Sequence, residues 1–184
     1  MRWAAGILGS RKDHYMLICE TERLRLDEYT EDDAAFVLDL LNEPAFHQYI
    51  GDRGVRTLDD ARRYITDRLC PSYTAHGFGL WRVALKNPGT LIGMCGLIKR
   101  ALFDEVDIGF AFLKPYEGHG YGFEAASAVL AHARERLGLT RLLGIVAPDN
   151  ARSIRLLTRL GLTHERAFTW PDDGSVVDIY AGRL

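Results

Sequence analysis

The stretch VDIGFAFLKPYEGHGYGFEAASAVLAHARERLGLTRLLGIVA spans Val106–Ala147 and changes its hydrophobic period twice. Val106–Leu113 alternates with period two, as a half-buried strand does. Gly122–Leu137 repeats apolar residues every three or four positions, which predicts a helix. Arg141–Ala147 is a short apolar run that is typical of a buried strand. A strand, a helix and a second strand in this order predict a βαβ unit whose two strands run parallel.

Further segments have the length and the pattern of strands: Arg23–Glu28, Gly79–Leu85, Leu91–Ile98, Thr163–Thr169 and Ser175–Ala181. The second and third of them flank Asn87-Pro88-Gly89, a turn cluster that predicts an antiparallel hairpin. The chain is therefore predicted to have a mixed α/β fold, antiparallel in its first half, with one parallel crossover late in the sequence.

Three further helices are indicated by polar caps that precede apolar stripes. Thr30–Asp33 resembles a capping box, and the apolar run Ala34–Leu41 follows it. Thr57–Asp60 resembles a capping box, and we expect Pro71 to end the helix that follows it. Asp149 or Asn150 caps a last helix, which ends at Gly161.

The composition excludes several classes of protein. A chain of 184 residues corresponds to one domain, since domains average roughly 150 residues. We place this domain at residues 16–184 and interpret residues 1–15 as a loose leader that lacks the features of a secretory signal. The 23 Lys and Arg residues are balanced by 25 Asp and Glu residues. No apolar run approaches the length of about 18 residues that a membrane helix needs. We therefore expect neither a nucleic-acid partner nor a membrane partner.

The three cysteines, Cys19, Cys70 and Cys95, are widely spaced and form no Cys-x-x-Cys pair. This spacing disfavours both a zinc site and a disulfide framework. We expect free thiols in a reducing cytoplasm, and no metal.

A glycine-rich loop, Glu117-Gly118-His119-Gly120-Tyr121-Gly122, joins the strand Val106–Leu113 to the helix after it. Alternating glycines let a backbone adopt positive φ and approach a ligand closely. The helix behind them presents unpaired N–H groups and the positive end of its dipole, which favour a phosphate or a pyrophosphate. A purely structural turn before a helix is the alternative.

Three kinds of nucleotide-binding site are candidates for a glycine-rich turn of this type. A Walker P-loop is excluded, because no Gly-Lys-Ser/Thr follows the glycines. A dinucleotide fingerprint needs G-x-G-x-x-G and an acid about 20 residues further on. Here the glycines run G-x-G-x-G, and the first acid after the next strand, Asp149, is a candidate helix cap. The third candidate ligand is coenzyme A. A coenzyme A site accounts for more segments of the sequence than the glycine-rich loop alone.

The run from Asp107 to Gly161 resembles the acyl-CoA-binding core of the GCN5-related N-acetyltransferases, the GNAT family. IGFAFLKPYEGHGYGFEA and GIVAPDNARSIRLLTRLGL are especially similar to the branch of ribosomal-protein N-terminal (RimJ/RimL-like) acetyltransferases. The opening ETERLRLDEYTEDDAAFVLDLLNEPAFHQYIG and the ending WPDDGSVVDIYAGRL resemble the same branch. The likeness covers Ile18 to Leu184. It implies a central, twisted, mostly antiparallel sheet with helices on both faces.

The resemblance also implies roles for the loop. The family's loop carries Gln or Arg, two variable residues, Gly, one variable residue, and Gly or Ala; Glu117, Gly120 and Gly122 occupy those places. Its backbone amides bind the pyrophosphate, which implies this role for Gly118, His119, Gly120, Tyr121, Gly122 and Phe123. The strand backbone near Phe112 and Leu113 is implied to pair with the pantetheine arm. Glu117 departs from the pattern, and an acid beside a pyrophosphate is unfavourable unless it points away.

Asn150 and Ser153 match the family's N-x-x-S/A, which implies that the Asn150 amide reaches the pantetheine, a role compatible with capping a helix. Many members place a tyrosine four residues after the Ser/Ala to protonate the departing thiolate, and this chain has Leu157 there. Ser153 is then the substitute candidate for the general acid, with a structural serine as the alternative. Asp107, on a small strand face that we expect to line a groove, is the candidate base, acting through water. A solvated or salt-bridged carboxylate is its alternative.

Two sets of residues have weaker claims. Arg152, Arg155 and Arg159 form a basic edge that meets the 3′-phosphate of the nucleotide or simply faces solvent. Four aromatic residues line the acceptor pocket or fill the core: Tyr49, Trp81, Phe103 and Trp170.

The resemblance implies an acetyl-CoA-dependent N-acetyltransferase, a monomer or a homodimer, in which a primary amine attacks the thioester directly. The free cysteines predict that it is cytoplasmic. The amine belongs to a protein N-terminus or to a small molecule. A non-catalytic acyl-CoA sensor of the same fold is the alternative.

Overall fold

One nine-stranded sheet organises the computed structural model, which describes residues 2–3 and 15–184. Its strands follow the spatial order β1-β2-β3-β4-β5-β6-β7-β9-β8. Their bounds are β1 Arg2–Trp3, β2 Leu17–Glu20, β3 Leu24–Asp27, β4 Leu80–Leu85, β5 Leu91–Lys99, β6 Val106–Phe112, β7 Arg141–Val146, β8 Thr163–Thr169 and β9 Val176–Arg183.

The strand pairing confirms the predicted topology. β4 and β5 form the expected antiparallel hairpin, in which Leu80 pairs with Gly96. β8 and β9 also pair antiparallel. β6 and β7 are parallel, as the βαβ pattern predicts, and they are the one parallel pair among the described strands. The fold is therefore mixed α/β with a mostly antiparallel sheet.

Six helices cover the two faces of the sheet within the described residues: α1 Ala34–Leu41, α2 Pro44–Tyr49, α3 Leu58–Tyr64, α4 Cys70–His76, α5 Tyr121–Leu137 and α6 Ala151–Arg159. Cys95 of β5 belongs to the core under α5, whereas its neighbour Met94 packs with residues of α1 and α3. Successive strand residues point to opposite faces. Helices α5 and α6 therefore lie on one face, and α1 to α4 lie on the other.

The helix that begins after Thr57 ends later than predicted. The capping box is confirmed, since Asp60 N–H donates to the Thr57 hydroxyl and Thr57 N–H donates to the Asp60 carboxylate. Pro71 does not end the helix: α3 continues through a π-helical turn at Ile65–Leu69 into α4. Proline is tolerated in the first turn of a helical segment, where its missing N–H costs little. The helix ends instead at Gly77, whose φ is +73°.

The N-terminal leader interpretation falls largely on residues 1 and 4–14, which lie outside the described residues. Within this segment, Arg2–Trp3 forms β1 and pairs antiparallel with β2. All three cysteines are free thiols; Cys19 and Cys95 are buried, and Cys70 is half-buried. Among the described helices, none combines the length and apolar character required to cross a membrane.

Candidate functional site

The parallel strands β6 and β7 separate after a short paired region. They pair at Asp107 with Leu143 and at Ile108 with Gly144. Both strands then continue, to Phe112 and to Val146, without further pairing to each other. From Gly109 onward, one backbone edge of β6 is therefore open inside the sheet. Such an edge offers N–H and C=O groups to an extended ligand, as an unpaired sheet edge does.

We call the opening between residues 109–112 of β6 and residues 145–146 of β7 the gap. The register of β6 in the sheet decides which of its residues face the gap. The N–H of Leu113 donates to the carbonyl of Ile92 at 2.9 Å, and its carbonyl accepts from Tyr116 N–H at 2.9 Å. The backbone groups of successive strand residues point to alternate sides. Phe112 and Phe110 therefore direct theirs toward the gap. The expectation for Phe112 fits this arrangement, whereas Leu113 is corrected to Phe110 because the chain itself uses both Leu113 groups.

The glycine-rich loop presents backbone amides next to this gap. Gly118 and Gly120 have φ of +79° and +82°, in the region that favours glycine. Helix α5 begins directly after Gly120 and has no side-chain cap. Its first backbone bond runs from Glu124 N–H to the Gly120 carbonyl, at 3.1 Å. The N–H groups of residues 121–123 therefore have no helical acceptor, and together with the helix dipole they give this helix start a geometry that favours an anion.

The third glycine of the loop has a different role. Gly122 lies within the first turn of α5, and its φ is negative. A Cβ added there would lie 3.5 Å from the side chains of Leu156 and Phe112, at ordinary contact distance. Gly122 therefore needs neither a special backbone conformation nor the absence of a Cβ.

Arg23, which the sequence reasoning did not select, braces the loop from the turn before β3. Its Nε donates to Glu124 Oε2 at 2.7 Å, and its Nη1 donates to the His119 carbonyl at 3.1 Å. The guanidinium lies 4.5 Å from the centre of the Tyr121 ring. The Thr21 hydroxyl donates to Glu124 Oε1 at 2.5 Å. Burial acts to raise the pKa of Glu124, but hydrogen bonds from Thr21 and Arg23 hold that pKa below its usual value.

The side chains of the loop contact one another and its neighbours. His119 Nδ1 lies 2.9 Å from the Glu117 carbonyl of the same loop, and the His119 ring stacks on Tyr121. The Arg159 guanidinium lies 4.3 Å from the centre of the Phe123 ring, which joins α6 to α5. The side chains of His119 and Phe123 are thus engaged in contacts within the protein.

Glu117 is neutralised by two cations. Its Oε2 accepts from Arg152 Nη1 at 2.6 Å and lies 3.2 Å from Lys114 Nζ. Burial acts to raise the pKa of Glu117, but the hydrogen bonds from Arg152 and Lys114 lower it. The departure from the family pattern is therefore compensated by charge from outside the loop.

Helix α6 begins on the other side of the gap. Asn150 caps it, and its Oδ1 accepts from Ser153 N–H at 3.1 Å. The cap uses Oδ1, so Nδ2 is the group of Asn150 that can serve a ligand. Ser153 is half-buried in the first turn. Leu157 is 1% exposed, and its side chain lies against Gly144. The position where many family members carry tyrosine is a core position here.

Asp107 is buried in an ion pair. It is 2% exposed, and its two oxygens accept from Arg100 Nε at 2.9 Å and Nη2 at 3.3 Å. Burial raises its pKa, and the Arg100 charge opposes the rise. Arg100 also lies 5.5 Å from the centre of the Trp170 ring. Asp107 therefore does not open directly onto a groove, because Arg100 covers it, and a proton from the site can reach its carboxylate only through a relay.

The small face of β6 is partly filled by its neighbours. A Cβ at Gly109 would lie 2.8 Å from the Ile98 side chain and 3.1 Å from that of Leu80. The aromatic residues divide as well: Trp81 and Phe103 are 1% and 6% exposed, whereas Tyr49 is half-buried. For Trp81 and Phe103 the core interpretation is confirmed.

The geometry suits an extended ligand that ends in phosphates, because an open strand edge and a row of helix amides lie on one path. The GNAT acetyltransferase domain model matches residues 23–163. The chain belongs to the GNAT acetyltransferase family. Like its named relatives in this family, it is an N-acetyltransferase. The matched region contains both strands of the gap, the loop and α6.

Relatives of known name or structure agree with this assignment. An uncharacterized N-acetyltransferase of Bacillus subtilis, YnaD, is 28% identical over 148 residues, covering 80% of this chain and 84% of YnaD. The crystal structure of an acetyltransferase from Agrobacterium tumefaciens has a TM-score of 0.76 at 27% identity, covering 95% of this chain and all of that one. The ribosomal L7/L12 alpha-N-protein acetyltransferase RimL, solved in complex with coenzyme A, shares the GNAT fold. Its TM-score is 0.78 at 17% identity, over 91% of this chain and 98% of RimL.

Proposed function

We propose that this GNAT protein transfers the acetyl group of acetyl-CoA to a primary amine, by direct attack in a ternary complex. The gap between β6 and β7, which leads to the uncapped start of α5, carries the proposal. In acetyl-CoA the pantetheine arm is an extended amide chain that is joined to a pyrophosphate. The gap offers strand-like hydrogen bonds to the pantetheine arm, and the glycine-rich loop offers backbone amides to the pyrophosphate.

In this proposal, backbone and side-chain groups of the protein hold acetyl-CoA, the acetyl donor. The backbone of Phe110 and Phe112 pairs with the pantetheine arm, and Asn150 Nδ2 donates to it from the opposite wall. The amides of residues 118–123 bind the pyrophosphate. The coenzyme A complex of RimL, a protein of the same fold, supports this use of the fold.

Acetyl-CoA supplies an activated thioester. The neutral amine attacks its carbonyl carbon, so that a C–N bond forms, the C–S bond breaks and the sulfur leaves with the electron pair. Open N–H groups of β6 polarise the carbonyl oxygen. Ser153 donates a proton to the departing sulfur, and the proton lost by the amine passes through water to Asp107. Orientation of the two substrates supplies much of the rate.

The acceptor enters from the side of α1 to α4 in this proposal. Residues 42–54 and 73–79 form its walls. Glu43 lies at the end of β6, where its Oε1 accepts from Lys114 N–H at 3.4 Å. We propose a protein N-terminus as the acceptor, with a small amine as the alternative. RimL, named as an alpha-N-protein acetyltransferase, supports the first. Buried free thiols are compatible with the reducing cytoplasm that we propose as the location.

One pair of observations favours a second candidate, a non-catalytic acyl-CoA sensor. Leu157 is in the core where many family members carry the proton-donating tyrosine. The Asp107 carboxylate is already bound by Arg100. With these two features, the chain retains the proposed cofactor site but lacks the tyrosine acid, and its candidate base is held in an ion pair. Both features are compatible with a protein that binds acyl-CoA without turnover.

An acceptor screen separates these candidates. The protein is incubated with acetyl-CoA and a panel of small amines and of peptides that differ at the N-terminus, and free thiol and acetylated product are both measured. We expect thiol release that depends on the amine, with a matching N-acetylated product. Acetyl-CoA binding without turnover on any acceptor would favour the sensor. Absence of acetyl-CoA binding would contradict both candidates.

A further inference from the structure

Glu117 and Arg152 connect the two walls of the gap. Glu117 immediately precedes the first glycine of the loop, and Arg152 lies in the first turn of α6, two residues after the Asn150 cap. Arg152 Nη1 and Glu117 Oε2 are 2.6 Å apart. The Arg152 side chain is 51% exposed and that of Glu117 is 17% exposed. The acid is therefore the fixed partner, and the arginine is the partner that solvent reaches.

A carboxylate next to a pyrophosphate site repels the ligand unless its charge is balanced. Here one oxygen of Glu117 holds both the Arg152 guanidinium and, at 3.2 Å, the Lys114 ammonium. The cluster of these three residues carries a net charge of +1, and its Glu117 directly precedes Gly118, the first glycine of the loop. Arginine has five donors in a planar fork, so its bond to Glu117 leaves donors for a phosphate.

We infer that Arg152 is a cofactor-binding residue, and that Glu117 is a positioning residue which holds the Arg152 guanidinium beside the phosphate loop. The inference rests on the proposed function, since it concerns the pyrophosphate of acetyl-CoA. In this arrangement the cation comes from α6 rather than from the first position of the loop. Glu117 holds the long, exposed side chain of Arg152 in place before acetyl-CoA binds. Less conformational entropy of Arg152 is therefore lost on binding.

This inference predicts whether one substitution strengthens or weakens the binding of acetyl-CoA. Glu117→Gln installs a residue of the family pattern and removes a negative charge. If Glu117 merely repels the ligand, the variant binds acetyl-CoA more tightly. If Glu117 positions Arg152, the variant binds more weakly, because Arg152 loses its anchor.

The experiment measures dissociation constants by calorimetry for acetyl-CoA and for acetyl-pantetheine, which lacks the pyrophosphate. Glu117→Gln, Arg152→Gln and the double variant are compared with Arg134→Gln, an exposed arginine near the far end of α5. We expect about a threefold weakening of acetyl-CoA binding for Glu117→Gln and about a tenfold weakening for Arg152→Gln. We expect the double variant to match Arg152→Gln, since Glu117 acts through Arg152. Acetyl-pantetheine binding should be unaffected in all variants, and Arg134→Gln should bind acetyl-CoA as the unmodified protein does.

Tighter binding by Glu117→Gln, or additive losses in the double variant, would overturn the inference. Equal losses for acetyl-CoA and acetyl-pantetheine would also overturn it, because they would indicate a structural defect of the site. If the unmodified protein binds neither compound, the proposed function itself fails, and that outcome is distinct from these.

Discussion

The Nε of Arg23 donates to Glu124 Oε2 across 2.7 Å, although the two residues are 101 positions apart in the chain. Glu124 also accepts from the Arg23 backbone N–H at 2.9 Å. Because the same guanidinium donates to the His119 carbonyl, the pair ties the start of α5 and the glycine-rich loop to the start of β3. We interpret it as the brace that holds the loop amides in their binding arrangement.

Loss of this brace should weaken cofactor binding. Glu124→Gln keeps the size of the side chain and removes the charge that orients Arg23. Partly exposed ion pairs contribute about 0.2–1 kcal/mol, so we expect the dissociation constant for acetyl-CoA to rise by up to about fivefold. Glu135→Gln is the matched control, because Glu135 pairs with Arg134 at the far end of the same helix. Equal affinities in the two variants would contradict the brace.

The two glycines at the start of α5 should respond oppositely to alanine. Gly120 has a φ of +82°, where an L-residue costs about 1–2 kcal/mol, so Gly120→Ala should lower both the melting temperature and the affinity for acetyl-CoA. Gly122 is helical and has room for a Cβ, so Gly122→Ala should stabilise the protein by up to about 1 kcal/mol. Thermal unfolding and calorimetry measure both effects. Similar results for the two variants would show that the loop conformation described above is wrong.

Ser153→Ala tests the proposed proton donor. The helix cap uses the backbone N–H of Ser153, so the substitution leaves the Asn150 cap intact. If the hydroxyl protonates the departing sulfur, kcat should fall by at least about tenfold, with the KM for acetyl-CoA nearly unchanged. Ser127→Ala in α5 is the control. An unaltered kcat would remove Ser153 from the mechanism.

The pH profile tests Asp107. A base is active when deprotonated, so the rate should rise with pH through the pKa of Asp107. Burial places that pKa above the ordinary value for aspartate, and Arg100 restrains it. Arg100→Gln removes the restraint and should move the rise to higher pH, whereas Asp107→Asn should flatten it. A rise that persists in Asp107→Asn would indicate that solvent alone takes the proton.

Leu157→Tyr should not restore a tyrosine acid. The Leu157 side chain is 1% exposed and contacts Gly144, so the larger ring has no free space. Overpacking typically costs about 1–3 kcal/mol, and we expect a lower melting temperature without a gain in kcat. Leu157→Met, of similar volume, should cost less. An increase in kcat would show that this position reaches the reaction site.

Local patterns made the βαβ unit, the β4–β5 hairpin and the glycine loop predictable. Periodicity depends on residues a few positions apart, and positive φ at Gly118 and Gly120 is a property of single residues. The end of the α3–α4 region was not predictable in this way. Pro71 is a helix breaker in most contexts, but the π-helical turn before it places it at the start of a new helical segment.

Pairing over long distances was beyond the sequence pattern. The divergence of β6 from β7 depends on where two distant strands stop pairing, and the register of β6 on β5 selects Phe110 over Leu113. Arg23 has no local signal that relates it to Glu124. Likewise, the alternation of residues in β6 placed Asp107 on the small face of the strand. It gave no indication that Arg100 forms an ion pair with Asp107 and shields it from solvent.

Backbone amide NMR with coenzyme A tests the central claim most directly. Spectra of the protein are recorded during titration with coenzyme A, and the shifted amides are assigned. The account predicts that the largest shifts fall on residues 109–112 and 118–123, the open edge of β6 and the start of α5. Saturable shifts confined to other surfaces, or no shifts at millimolar ligand, would contradict it.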